Sequence, residues 1–268
     1  MRTANTEFDD AFTRSPDDLD AAMGFGLTEL LLLAEDDNLN RALRTLGFSA
    51  DVDAEDLVFG DNALFDRLTR GTCEDLTPFL ESQLRYPPMW DGDDGADLVK
   101  ADATVGDLLE EVSKMAPRLE RIASAFEAAG ELVDGSYDVE LSGSCGGGLG
   151  RVAFQAPELY GMASLLTAVR ASVVAAEGYD WALPLEDLFV GNERTLRDLY
   201  NQHLLFVVDA DRIKRAGDIV VAAIDLADRG LAEASRISGP VEDQLFDWSR
   251  LDRGVIADLR PALTPEPG

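Results

Sequence analysis

The chain has 268 residues, enough for one large domain or two small ones, and its 46% of apolar residues is normal for a folded protein. Acidic residues number 52 against 23 lysines and arginines, so the net charge is −29. A surface with this charge repels nucleic-acid phosphates and anionic lipid headgroups, which excludes both as partners. Only three basic residues are lysines, and this skew with Asp-rich helix faces indicates a GC-rich genome or adaptation to salt (a halophilic surface). Acidic residues occur in every segment, which favours a global surface adaptation over one acidic binding patch.

The N-terminal third begins with a helical pattern. Phe8 and Phe12 lie four residues apart, on one face of a predicted first helix. Ser15 and Pro16, with two aspartates after them, predict the start of a second helix with Ser15 as its cap. That helix is apolar over most of its surface, and we predict that it ends at Asp36 and is followed by a shorter helix.

This N-terminal pattern resembles the helical hairpin of tetratricopeptide repeats over about forty residues. Ala4, Phe8, Ala11 and Pro16 have the spacing of a repeat's second helix and its closing proline, and Gly26 takes the place of the small residue in the next repeat. The chain departs from the family at three positions, where the repeat has Ala, Phe and Ala: Asn38, Ala42 and Thr45. The resemblance implies packing of paired helices and binding of peptides or partner proteins along a concave face.

The middle of the chain is interrupted before it becomes regular again. Three short helical pieces are predicted over 53–84, and a loop over 86–103 because of its prolines and acidic run. We expect one helical domain over 1–268, in which this loop marks a seam between subdomains 1–85 and 104–263. A helix over 104–129, capped by Thr104, follows the loop, and Pro117 predicts a kink in it.

The only strand pattern lies near 137–155, where alternating apolar residues flank a glycine-rich tip and predict a β-hairpin. The helix predicted over 157–177 is so apolar that we expect it at the centre of the core. Further helices are predicted at about 185–189, 193–206 and 211–235. A short final helix carries Leu245, Phe246 and Trp248, and a frayed proline-rich tail covers 264–268. No apolar run reaches the length of a membrane span, so we predict no membrane insertion.

The glycine-rich stretch 143–151 does not fit a phosphate-binding loop. Such a loop needs a lysine, a hydroxyl and a helix after its last glycine, whereas Arg151, Val152 and a predicted strand follow here. Cys145 lies in the same stretch, but a reactive cysteine needs a base beside it, and the chain has one histidine, His203. We therefore predict a hairpin turn, with no catalytic and no cofactor-binding residue.

Acidic residues in the 86–103 loop are the candidate metal ligands, because hard cations take several carboxylate oxygens from one loop. The candidates are Asp91, Asp93, Asp94 and Asp97. The register of a calcium loop does not fit, because its fifth position is Gly95 and its twelfth is Asp102. The sequence leaves open two interpretations, weak binding of a divalent cation such as calcium and a solvated acidic loop.

Two further sets of residues allow alternative interpretations. Cys73 and Cys145 form a disulfide if the protein is exported, or stay as separate thiols in a cytoplasm. The cluster of Tyr86, Met89 and Trp90 either anchors a partner or covers the boundary between subdomains. The N-terminus has no apolar signal segment, yet a signal removed before residue 1 would leave the same sequence, and we favour an exported, periplasmic or outer-membrane lipoprotein over a cytoplasmic protein.

Together these patterns predict a mostly α fold of antiparallel helices, either solenoid-like or an irregular bundle, with one small β-hairpin. The predicted function is a non-enzymatic scaffold or adaptor that binds a protein or peptide, without a cofactor. The alternative is a divalent-cation-dependent enzyme that uses carboxylates of the acidic loops.

Overall fold

The computed structural model describes residues 2–33, 36–45, 104–140, 151–181, 207–237 and residue 254. This part is mostly helical and contains one two-stranded antiparallel sheet, which confirms the predicted fold class. The elements are α1 (Arg2–Arg14), α2 (Leu19–Leu32), α3 (Asp37–Thr45), α4 (Val105–Ser113), α5 (Ala116–Leu132), β1 (Ser136–Glu140), β2 (Arg151–Gln155), α6 (Ala156–Ala176) and α7 (Ala210–Ala234). The elements predicted over 53–103, 185–206 and beyond 237 lie outside the described residues, apart from residue 254.

The chain divides into two compact units, each built from separate segments. The first unit comprises Met1–Leu32, Ala116–Ala175 and Ala210–Gly268, and the second comprises Leu33–Met115 and Ala176–Asp209. The seam predicted at 86–103 lies outside the described residues and stays a prediction.

In the first unit the start of α2 differs from the prediction. Asp18 is its N-cap, because the Asp18 carboxylate accepts a hydrogen bond from the backbone N–H of Ala21 at 3.2 Å. Ser15 instead closes the preceding turn, in which its carbonyl accepts from the Asp18 N–H at 3.1 Å. The turn at Pro16 delays the helix by three residues, and the capping role passes to the next polar side chain.

The packing of α1, α2 and α5 forms much of the core of this unit. Phe126 of α5 is fully buried and lies against Gly26 of α2, where an added Cβ atom would come within 3.0 Å of the Phe126 ring. Phe25 is also buried and stacks on Phe12 of α1, with ring centroids 5.6 Å apart. Gly26 therefore lies in a helix contact, but the helix is α5, whose Phe126 lies 100 residues further along the chain. The tetratricopeptide resemblance stays a prediction.

Ion pairs join the same three helices at the edge of this core. Arg118 of α5 donates to the Glu29 carboxylate of α2 at 2.5 Å, and Asn5 of α1 donates to the same carboxylate at 2.9 Å. Arg121 pairs with Asp9 of α1, and its guanidinium carbon lies 4.8 Å from the centre of the Phe25 ring. Arg121 therefore makes both an ion pair with Asp9 and a cation–π contact with Phe25.

The predicted β-hairpin is confirmed, with β1 and β2 antiparallel and Tyr137 opposite Phe154. Gly135 precedes β1 with φ of 87°, a left-handed conformation that glycine adopts without strain. Burial, followed by a hydrogen bond with Asp20, raises the pKa of Tyr137 to about 12. Since Asp20 lies in the first turn of α2, this bond ties the hairpin to that helix.

The single kinked helix predicted over 104–129 is wrong, because the stretch forms two helices, α4 and α5. The Thr104 cap is confirmed: its hydroxyl accepts from the Asp107 N–H at 3.1 Å, and the Asp107 carboxylate accepts from the Thr104 N–H at 2.8 Å. Pro117 lies in the first turn of α5 rather than in the interior of one long helix. It lacks the N–H that would bond the carbonyl of Ser113, and in a continuous helix its ring would clash with that carbonyl, so α4 ends at Ser113.

In the second unit α3 and α4 are joined by an ion pair. Arg41 of α3 donates to the Glu111 carboxylate at 2.8 Å, and Lys114 donates to the same carboxylate at 2.8 Å. Hydrogen bonds from Lys114 and then Arg41 lower the pKa of Glu111. Trp181 belongs to this unit as well, and its carbonyl accepts from the Gly106 N–H at 3.0 Å.

Candidate functional site

All the site residues predicted from the sequence lie outside the described residues. These are the metal candidates Asp91, Asp93, Asp94 and Asp97, the cysteines Cys73 and Cys145, and the partner-binding cluster Tyr86, Met89 and Trp90. Their roles stay predictions. Within the described ranges, no group of three or more histidine, cysteine, aspartate or glutamate side chains could hold a metal ion.

One surface of α6 is exposed to solvent although it carries large apolar side chains. Leu165, Ala168, Val169 and Ser172 are all exposed, and their spacing places them along one side of the helix. Leu165 has 57% of its surface accessible and Val169 has 44%. We call these four residues the α6 face.

The rest of α6 is held in the fold by α7. Ala171 and Val174 are buried in a cluster with Ala216 and Ile219 of α7. The Ser164 hydroxyl donates to the carbonyl of Ala223 on α7 at 2.8 Å, which fixes the rotation of one helix against the other. The predicted bounds of α6 are confirmed within one residue, but its expected place at the centre of the core is wrong for the α6 face.

None of the charged residues of α6 lies on the α6 face. The helix has two, Glu158 and Arg170, and both are largely covered. The Arg170 side chain is 12% exposed and pairs with Glu120 of α5 at 2.8 Å. Charged residues make up 28% of the chain, yet α6 contributes none to this surface, and contiguous exposed apolar patches mark sites of interaction.

By length and composition, α6 would also be able to cross a membrane, with a mean hydropathy of 1.5 over an 18-residue window. The sequence patterns did not indicate this. In the fold, 44% of that window is buried inside the protein, and core helices of soluble proteins have the same composition. The packing of Ala171 and Val174 against α7 accounts for the apolar character of α6 on its inner side.

The first turn of α6 contains a buried carboxyl group that was not singled out from the sequence. Glu158 is 1% exposed, and one of its oxygens, Oε2, accepts from the backbone N–H of Gln155 at 3.0 Å. The other oxygen, Oε1, is buried without a hydrogen-bond partner in the described part of the chain. Pro157 followed by Glu158 is typical of a helix's first turn and predicts the backbone bond, whereas the burial follows from tertiary packing.

Comparison with known proteins gives no relative: no family model, no curated protein and no solved structure matches this chain. The α6 face and the first turn of α6 are therefore interpreted from their own geometry.

Proposed function

We propose that this chain is a helical adaptor that binds a protein or peptide partner on the α6 face. The observation that carries the proposal is the exposure of Leu165 and Val169 on a helix surface to which α6 contributes no charged side chain. The resemblance of the N-terminal residues to tetratricopeptide hairpins implies the same class of function.

The partner that fits is an amphipathic helix with an apolar stripe and basic flanks. Residues at spacings of three, four and seven along α6 complement a similar stripe on a second helix, as in other helix-in-groove complexes. The net charge of −29 attracts a basic segment and steers its approach. The same charge disfavours a second copy of this chain as the occupant, since two such acidic surfaces repel each other.

The strength of such an interaction can be worked from the exposed fractions. Complete burial of a leucine or valine side chain gives about 1.5–3 kcal/mol, and about half of Leu165 and of Val169 remains to be covered. Docking on the α6 face would therefore gain about 1 kcal/mol from each residue. Together they account for roughly a thirtyfold change in Kd.

Two synthetic peptides and one double variant test the proposal. The probes are an amphipathic helical peptide of leucine and lysine and a peptide of the same pattern with glutamate in place of lysine. We expect the basic peptide to bind, the acidic one not to bind, and the variant Leu165→Gln with Val169→Gln to lose roughly thirtyfold in affinity by titration calorimetry. Leu132→Gln, on an exposed leucine at the end of α5, is the matched control and should bind as the wild type does.

Two results would overturn the proposal. Equal binding of the basic peptide by the wild type and the double variant would show that the peptide is attracted by charge alone. A wild-type dimer on size-exclusion chromatography that the double variant converts to a monomer would show that the α6 face serves self-association instead.

A further inference from the structure

The junction between the hairpin and α6 has no linker, because β2 ends at Gln155 and α6 begins at Ala156. The Gln155 N–H is directed into the first turn of α6, where the Glu158 carboxyl accepts its hydrogen bond. The residues next to Glu158 along the chain are buried as well: Pro157 and Leu159 fully, and Phe154 and Tyr160 nearly so. The carboxyl group thus joins the last residue of the strand to the helix from inside the protein.

The free-energy cost of burying this carboxyl group is much larger for its ionised form than for its neutral form. An ionised carboxylate needs donors for both oxygens, and Oε1 has none in the described structure. A protonated carboxyl leaves one buried hydroxyl unpaired, which costs far less than a buried charge without a partner. Burial accordingly raises the pKa of Glu158, although the backbone N–H groups of Glu158 itself and Gln155 act in the opposite direction.

Charged groups on neighbouring elements do not relieve this cost. The described charged residues on the other parts of this unit include Arg170 of α6 itself, Asp134 and Asp138 at β1, Asp20 of α2, Glu127 and Glu131 of α5, and Arg229 and Glu233 of α7. None of these described groups is among the causes that act on the Glu158 carboxyl. Among the described residues, burial and the two backbone donors are the causes that act on the pKa of this carboxyl group.

We propose that the Glu158 carboxyl is a pH-sensitive element that joins β2 to the first turn of α6 while neutral and weakens that junction when ionised. This inference does not depend on the proposed function. Ionisation favours an opened junction, in which water reaches Oε1 and the Gln155 hydrogen bond is lost.

The sign of the pH dependence follows from linkage. The folded chain keeps a proton on Glu158 above the ordinary value of 4.5, at which the unfolded chain releases it. The contribution of Glu158 to stability is complete below that value and is lost as the pH rises through the folded pKa. Between low and high pH, the equilibrium constant for opening increases in total by about tenfold for each unit by which the pKa of Glu158 in the folded chain exceeds that in the unfolded chain.

Glu158→Gln is the informative variant, because glutamine keeps an acceptor for the Gln155 N–H at this position and does not titrate. Hydrogen exchange of the Gln155 amide, followed by nuclear magnetic resonance from about pH 5 to about pH 8, compares wild type and variant at each pH, so that the intrinsic exchange rate cancels. We expect the ratio of wild-type to variant opening to rise with pH. A ratio constant over this range would overturn the proposal.

Two controls keep the test sharp. Asp211→Asn removes one negative charge from the exposed first turn of α7, and we expect it not to reproduce the change at Gln155. If Asp211→Asn changes the exchange of the Gln155 amide in the same way, the change is due to net charge and the proposal is wrong. Should Glu158→Gln not fold, the wild-type chain alone decides: protection at Gln155 should fall with pH while protection at Ala223, buried in α7, stays constant. A parallel fall at both amides would contradict a local junction.

Discussion

The close approach of α2 and α5 at Gly26 predicts opposite effects for the same substitution at two helical glycines. Alanine is favoured over glycine in a helix by about 1 kcal/mol. At Gly217 of α7 an added Cβ atom meets nothing within 4 Å, so Gly217→Ala should stabilise the protein by about that amount. At Gly26 the Cβ atom would lie 3.0 Å from one atom of the Phe126 ring and 3.3 Å from two others.

The magnitude at Gly26 depends on whether the Phe126 ring can move. The ring is fully buried, and overpacking of a closed core costs about 1–3 kcal/mol. After the gain in helix propensity, Gly26→Ala should change the free energy of unfolding by between about zero and a loss of 2 kcal/mol. Relative to Gly217→Ala it should be less stable by about 1–3 kcal/mol, the overpacking cost alone.

Urea denaturation of the two alanine variants measures this difference. The comparison is direct because both glycines belong to the first unit. A double-mutant cycle with Phe126→Leu assigns the cost: the smaller side chain should remove most of the penalty of Gly26→Ala. Equal stabilisation by the two alanine variants would refute the close-packing argument, as would a penalty at Gly26 that Phe126→Leu leaves unchanged.

Two further predictions concern the start of α2 and the hairpin beside it. Asp18→Ala should reduce the free energy of unfolding by about 1 kcal/mol through loss of the N-cap, as measured by urea denaturation. A loss on Ser15→Ala with none on Asp18→Ala would place the cap at Ser15 instead. Tyr137 should ionise at about pH 12, visible as a phenolate absorbance change in the ultraviolet that Tyr137→Phe removes. Because the pKa of Tyr137 is raised in the folded chain, the free energy of unfolding should decrease as the pH rises above about 10, where the unfolded chain ionises. A Tyr137 transition at about pH 10 would contradict its burial beside Asp20.

Helix boundaries could be predicted where the deciding interactions are local. The bounds of α6 and α7 follow from apolar periodicity, and the cap at Thr104 follows from a hydroxyl three residues before an acid. The errors have local causes too. The turn at Pro16 moved the cap to Asp18, and Pro117 ended one helix and began another instead of bending it.

The candidate site could not be predicted in the same way. An apolar residue of α6 looks the same in the sequence whether it packs against α7 or faces solvent, so periodicity could not separate Ala171 and Val174 from Leu165 and Val169. A glutamate in a helix's first turn is usually a solvated complement to the helix dipole. Only the residues packed around Glu158 make it a buried acid.

The sequence by itself determined which described segments are helices and which form the hairpin, because hydrogen bonding, capping and periodicity act within a few residues. It also determined the acidic net charge of −29. The tertiary structure alone decided that α5 lies against Gly26, that the α6 face stays exposed and that Glu158 Oε1 is buried without a partner in the described part of the chain. These features depend on contacts between residues far apart along the chain, which no local pattern encodes.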